Sequence, residues 1–240
     1  RSSTLATLAT YAKRSPYSAA DAPVWAYIDD YLWYVLMWLE AYRWRREPSM
    51  LAEASSTFDL MYSWGSDARC GGIEWMYPDK APRKNAITTL EAIQAAAQLA
   101  LLERDGATRL KRRRQALELW AWLDASGLSE ETSRGLVMDN VTAADGALSC
   151  CNGTAAPRCL PEGTTRWTYV QGMYLGALAD LWTLTKEPSF LTRGGRLLEA
   201  VAARLTRPDG SLREEEAIEE RVRVTERRCD AAHDPSASGG

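Results

Sequence analysis

The sequence predicts an all-α chain built from helical hairpins. Apolar residues recur at the three- and four-residue spacing of a helix through most of the chain, and short polar turns carrying Pro or Gly interrupt that pattern. No segment shows the sustained alternation of a half-buried strand.

Taken in order, the first clear stripe starts at Asp30 with Leu32, Val35, Leu36 and Leu39 and stops at Glu47-Pro48-Ser49. Leu51, Ala54, Phe58 and Met61 make the second stripe, which ends before Cys70-Gly71-Gly72. A third helix is expected from about Ala86 to Glu103. The turn Asp105-Gly106 leads to a fourth, with Leu110, Ala116, Trp120 and Leu123. A long loop is expected from about Gly127 to Thr165. Beyond it, Tyr174, Leu178, Leu181 and Trp182 mark a fifth helix, Glu187-Pro188-Ser189 a turn, and Phe190, Leu197, Leu198, Val201 and Leu205 a sixth. A short helix is also expected near Leu5 to Lys13. The turns at Pro48, Gly106 and Pro188 thus define three hairpins with unequal loops between them. That pattern suits a toroid of helix pairs with its long loops on one face better than a tight-period solenoid. The basic run Lys111 to Arg114 reads as a solvated helix face. Arg213 to Arg228 reads as an exposed helix or a poorly ordered tail, so the chain divides into a toroid-forming part, 1–212, and a charged tail, 213–240.

Composition excludes several classes. With 29 basic and 32 acidic side chains the net charge is −3, which gives no field for nucleic acid. No apolar run is long enough for a membrane span. The five cysteines form no CxxC pair and His233 stands alone in the tail, so zinc is not expected. Cys150, Cys151 and Cys159 cluster near the triplets Asn140-Val141-Thr142 and Asn152-Gly153-Thr154. Both features suit a secreted or cell-surface protein, and the odd cysteine count leaves at least one thiol free or intermolecular. The N-terminal RSSTLATLAT has no Met and no leader pattern, as expected where a leader has been removed or a larger protein precedes it.

Ten Trp and ten Tyr against two Phe is an unusual balance. Their faces suit the C–H surfaces of sugar rings, although most such rings fill helical cores. Three constellations carry chemistry. Tyr27-Ile28-Asp29-Asp30 precedes Leu32-Trp33-Tyr34. Paired carboxyls beside aromatics suit glycoside hydrolysis, in which one group donates a proton and the other meets the anomeric centre. The plainer reading is an ordinary helix N-cap. Cys70-Gly71-Gly72-Ile73-Glu74-Trp75 and Lys84-Asn85-Ala86-Ile87-Thr88 combine close backbone approach with polar groups at a helix start. Trp167-Thr168-Tyr169-Val170-Gln171-Gly172 sets two rings, a hydroxyl and an amide at a helix mouth, with Asp139 upstream in Leu136-Val137-Met138-Asp139.

In this order, YIDD-YLWY, CGGIEW, KNAIT, LVMDN and WTYVQG resemble the ordered motifs of glycoside hydrolase family 76, the endo-α-1,6-mannanase family. REPSML and KEPSFL resemble that family's turn between paired helices. The resemblance runs from about Tyr27 to Glu215. It implies an (α/α)6 barrel that cleaves α-1,6-mannan with retention and needs no cofactor. Fungal relatives imply transglycosylation of cell-wall mannoproteins as well. It further implies Asp29 as nucleophile and Asp30 as acid/base, with Tyr27, Trp33, Trp75, Lys84, Asn85, Asp139, Trp167, Tyr169 and Gln171 along the cleft. The pattern departs from the family at Glu74, Thr89, Asn140 and Val170.

Six helices and one short helix are too few for a twelve-helix barrel, so another chain or segment is expected to complete it. Two alternatives remain. One is a non-catalytic carbohydrate-binding or structural subunit on the same fold. The other is a different toroid activity such as sugar epimerisation, which would be expected to use histidines that this chain lacks near any cleft.

Overall fold

A computed structural model describes residues 26–66, 71–78, 84–129, 135–143, 159–162 and 166–213. The expected helix near Leu5 to Lys13, Cys70, the Cys150-Cys151 loop with Asn152, and the tail beyond 213 lie outside the described residues. Among the described residues, six helices stand in hairpin order: α1 (Ile28–Arg45) with α2 (Pro48–Gly65), α3 (Ala86–Leu102) with α4 (Gly106–Ala125), and α5 (Thr168–Thr185) with α6 (Pro188–Arg204). Within each pair the helices pack on each other, and α3 also packs on α1 and α5. The result is an arc with α1, α3 and α5 inside and α2, α4 and α6 outside, a partial (α/α)6 toroid.

Burial follows composition. α3 reads AITTLEAIQAAAQLALL, and nearly every residue from Ala86 to Ala100 is buried. Its alanines let four neighbouring helices approach closely, which bulkier side chains would prevent. At the α3–α5 contact the limit is reached: a Cβ on Gly176 would sit 2.8 Å from Gln94 Oε1. The outer α6, by contrast, buries only Phe190 and Leu197.

The two Pro turns are built alike, as their shared sequence suggests. α1 ends in Arg46 at φ 57° and α5 in Lys186 at φ 63°, and their amides bond Tyr42 O and Trp182 O. Glu47 and Glu187 follow in extended conformation, which a following proline favours. Pro48 and Pro188 then open the next helices, where the missing N–H is not needed. Each αL residue lays its cation over the ring four positions back, Arg46 on Tyr42 and Lys186 on Trp182. The third turn uses a side-chain cap: Asp105 accepts from the Thr108 amide at 2.7 Å.

One expectation is corrected. The basic run is not a uniformly solvated face. Arg112 is 1% exposed, forks onto Asp59 at 2.8 and 2.7 Å, reaches Ser55 Oγ at 2.8 Å and stacks on Phe58, tying α4 to α2. Helical spacing explains this: Arg112 shares the buried stripe of Gln115, Ala116 and Leu119, whereas Arg113 and Arg114 point outward. The chain also has short strands. β1 (Ala26–Tyr27) pairs antiparallel with β2 (Met76–Tyr77). β3 (Lys84–Asn85) pairs with β4 (Asn140–Ala143), and β4 with β5 (Cys159–Glu162), both within the expected long loop. Strands of two to four residues are too short to show alternation.

The Gly71-Gly72 corner lies against Trp122 of α4. Both glycines have positive φ, 70° and 72°, and a Cβ at Gly72 would come 2.7 Å from the indole. Gly72→Ala is therefore expected to lower the unfolding free energy by about 2 kcal/mol or more, through left-handed strain and the clash. Chemical denaturation checks this. An unchanged midpoint would show that the corner relaxes freely.

Candidate active site

Because each hairpin returns the chain, α1, α3 and α5 run parallel and begin at the same end. Backbone bonds lock those beginnings together. The Ile28 amide donates to Trp75 O at 2.8 Å, joining α1 to the β2 segment, and the Ala86 amide donates to Asp139 O at 2.6 Å, joining α3 to the β4 segment. The Gln171 amide group of α5 pairs with both backbone groups of Val137, each at 2.8 Å. The loop motifs are thereby gathered at one mouth.

Asp29 and Asp30 lie in the first turn of α1. Neither caps the helix: the N-cap is Tyr27, which makes no side-chain cap bond, so the N-cap reading of the pair is corrected. Asp29 is held on both oxygens, Oδ1 by the Asp30 amide at 3.1 Å and Oδ2 by Trp75 Nε1 at 2.9 Å. Asp30 is exposed to solvent. Burial pushes the Asp29 carboxyl above its ordinary range. The Trp75 hydrogen bond pulls it back, and the charge of Asp30 pushes it up again. Burial alone raises Asp30. The adjacent pair thus has one fixed carboxyl and one that faces the solvent.

A second indole–carboxyl pair lies at the start of α5. Trp167 Nε1 donates to Asp139 Oδ2 at 3.1 Å, and the Asn140 amide donates to the same oxygen at 3.2 Å. Trp167 and Tyr169 lie nearly parallel, 18° between planes, with centroids 6.4 Å apart. Tyr27 and Trp75 form a tilted pair at 4.9 Å. Trp33, at 43%, and Tyr169 are exposed, so each offers a ring face to solvent.

The remaining expected site residues are buried and serve the framework. Lys84 Nζ donates to Gly71 O at 2.6 Å and lies 3.5 Å from Glu74 Oε1, which pins the glycine corner to β3. Asn85 caps α3 by accepting from the Thr88 amide at 3.2 Å. Gln171 holds Val137 and so aims Asp139. The positions that depart from the family pattern are absorbed locally: Glu74 pairs with Lys84, while Thr89 and Val170 are fully buried.

Sequence reasoning missed Trp122, against which the glycine corner packs, and Glu91, fully buried on α3 and within the electrostatic reach of the Asp pair. Glu91 left a signal, being the single charged residue in α3. Trp122 left none, because its spacing is that of any core aromatic.

An arc of paired helices with carboxyls and aromatic rings at one mouth defines a partial (α/α)6 toroid of the carbohydrate-active kind. The chain belongs to glycosyl hydrolase family 76, whose profile matches residues 3–231. No curated protein sequence matches it. Solved structures do. The GH76A α-1,6-mannanase of Salegentibacter sp. HEL1_6 is 25% identical, with TM-score 0.62 over 78% of this chain and 50% of that one. An inactive variant of that mannanase with two consecutive aspartates replaced by Ala, in complex with α-1,6-mannotetrose, gives 23% identity and TM-score 0.64 over 80% and 51%. A GH76 α-mannanase of Bacteroides thetaiotaomicron gives 19% and 0.62 over 78% and 47%. A D-mannose isomerase shares the fold at 14% identity and TM-score 0.60, over 82% of this chain and 48% of that one. The chain spans about half the length of these structures.

The Trp75 hydrogen bond opposes the effect of burial on Asp29, so Trp75→Phe is expected to raise that carboxyl further. A raised folded-state value means that stability is full below the unfolded-state value and is lost as pH rises through the folded one. Melting temperature plotted against pH should therefore fall over a wider window in Trp75→Phe than in the wild type, starting near pH 4. Parallel curves would mean that the indole does not act on Asp29.

Proposed function

We propose that the chain supplies the catalytic half of a retaining glycosidase or transglycosidase acting on α-1,6-linked mannan. The observation that carries this is the contrast within the Asp29–Asp30 pair. Asp29 is fixed by the Trp75 indole and the Asp30 amide, whereas Asp30 is exposed to solvent. A nucleophile must hold one oxygen at the anomeric carbon without turning, and an acid/base must reach first the leaving oxygen and then the incoming hydroxyl.

In this reading an Asp29 oxygen attacks the anomeric carbon while the Asp30 proton passes to the departing glycosidic oxygen. Asp30, now ionised, takes a proton from water or from a sugar hydroxyl, whose oxygen displaces Asp29. Water gives hydrolysis and a sugar gives transfer. The position of both carboxyls in the first turn of α1 helps, since the helix dipole favours the charge that Asp29 must carry. Burial raises both groups, which suits a pair that keeps one proton at mildly acidic pH. Tyr27, Trp33, Trp75, Trp167 and Tyr169 offer ring faces and edges to mannose units, with Asp139 beside them. Lys84, Asn85 and Gln171 hold these in place.

Support for the substrate comes from the mannanase of Salegentibacter sp. HEL1_6, whose inactive variants carry two substituted consecutive aspartates and bind α-1,6-mannotriose or mannotetrose. The same reading places the chain outside the cell, where such polysaccharide lies, in line with its two Asn-x-Thr triplets. It also takes a further segment or chain to close the toroid beyond α1 and α5.

The test is incubation of the folded chain with linear α-1,6-mannan, following released or re-formed oligosaccharides. Asp29→Asn should lower turnover by about 10³-fold or more while circular dichroism stays unchanged. No cleavage by soluble, folded wild-type chain would overturn the enzymatic reading in favour of a binding or structural role. Equal turnover by Asp29→Asn would overturn the assignment of the nucleophile.

A further inference from the structure

Glu91 is completely buried, and neither carboxyl oxygen has a hydrogen-bond partner. It lies one and a half turns into α3, on the face shared with Gln94 and Gln98. Those two neighbours are engaged: Gln94 Nε2 bonds Met173 O at 2.9 Å and Gln98 Nε2 bonds Asp180 Oδ2 at 2.7 Å, both on α5. Glu91 alone of the three makes no side-chain hydrogen bond. A leucine would fill similar volume without stranding two oxygens, so a carboxyl here is a local conflict of the kind that functional sites tolerate.

The charges acting on Glu91 come from one side. α1 packs on α3 and brings Asp29 and Asp30 near it. The charged groups nearest in the neighbouring elements are engaged elsewhere: Asp180 of α5 accepts from Gln98, and Lys84 of β3 is committed to Gly71 O and Glu74. A carboxylate buried without a cation is strongly disfavoured, and two acidic neighbours make it worse. Burial first, then Asp29, then Asp30, hold the Glu91 carboxyl well above the usual range.

We propose that Glu91 is a positioning residue for the Asp29–Asp30 pair: a buried third carboxyl on α3, near the nucleophile, whose acid dipole steadies the ionised form of Asp29. This rests on the reading of the pair given above. On the buried side of Asp29, a neutral O–H dipole adds to the hydrogen bonds of the Trp75 indole and the Asp30 amide. Its negative form would do the opposite and repel the charge that Asp29 must bear.

The experiment compares wild type, Glu91→Gln and Glu91→Leu, with Glu91→Met as a second apolar variant should Leu fail to fold. Asp29 is followed by ¹³C-carboxyl NMR titration, alongside kcat and KM on linear α-1,6-mannan. Glu91→Gln keeps a neutral dipole and should leave the Asp29 midpoint near the wild-type value. Glu91→Leu removes it and should move the midpoint up by about half a pH unit or more. It should also lower kcat about tenfold with KM within about twofold, and without loss of melting temperature. A midpoint that falls in both variants would show that Glu91 carries charge, and one unmoved in the apolar variants would make it a core residue only. Either result overturns the proposal. Absence of mannan turnover in the wild type would sink the glycosidase reading alone, since the Asp29 midpoint still decides the part played by Glu91.

Discussion

The close packing of α3 between α1 and α5 is the constraint on which the rest depends. It requires a helix that neighbours can approach on every side, and the alanine-rich run Ala86–Leu102 supplies one. Once α3 is the central element, the hairpin connections force the three inner helices to run parallel. Their N-termini then converge, and every loop that precedes one of them is carried to the same mouth. The site follows from the direction of the helices before any side chain is considered.

What the mouth does electrostatically is a balance of opposed effects. Withdrawing Asp29 from water favours its neutral form, while the Trp75 indole, the Asp30 amide and the start of α1 favour its charge. Asp139 is held in the same manner by Trp167, so two indoles each fix a carboxylate while keeping a ring face for other contacts. That double use accounts for the abundance of Trp over Phe better than core filling does at these two positions. Elsewhere the plainer account stands: Trp38, Trp120 and Trp122 are buried among apolar neighbours. Around the carboxyls, Lys84, Asn85 and Gln171 spend their polar groups on backbone partners, which gives the loops the stiffness of a helix end.

The shared fold with a D-mannose isomerase sets a limit on what the toroid alone implies. Paired helices place loops at a mouth, and the side chains on those loops choose the chemistry. In the function proposed above that choice falls to adjacent carboxyls flanked by rings, and no histidine lies among the described residues. The same division separates the faces of the arc. The outer helices carry ion pairs that tie one to the next, Arg112 of α4 with Asp59 of α2 and Arg193 of α6 with Asp124 of α4.

The sequence alone determined the helices, their pairing and the order of the motifs, because helical periodicity, Pro turns and caps are local. Glu47-Pro48 and Glu187-Pro188 stop and restart a helix through their own backbone preferences, wherever they sit. The Asp29–Asp30 pair and its aromatic neighbours were legible for the same reason, as a contiguous pattern. Three matters were decided only by the tertiary structure. Lys84, Asn85 and Gln171 are framework rather than exposed polar groups, because their partners lie on other segments. Arg112 is buried because α2 presents Asp59 to it, which no run of basic residues reveals. The short strands that tie the loops together pair residues such as Asn85 and Asn140, far apart in the chain. Each of these depends on what stands across from a residue, and a linear sequence records neighbours only along the chain.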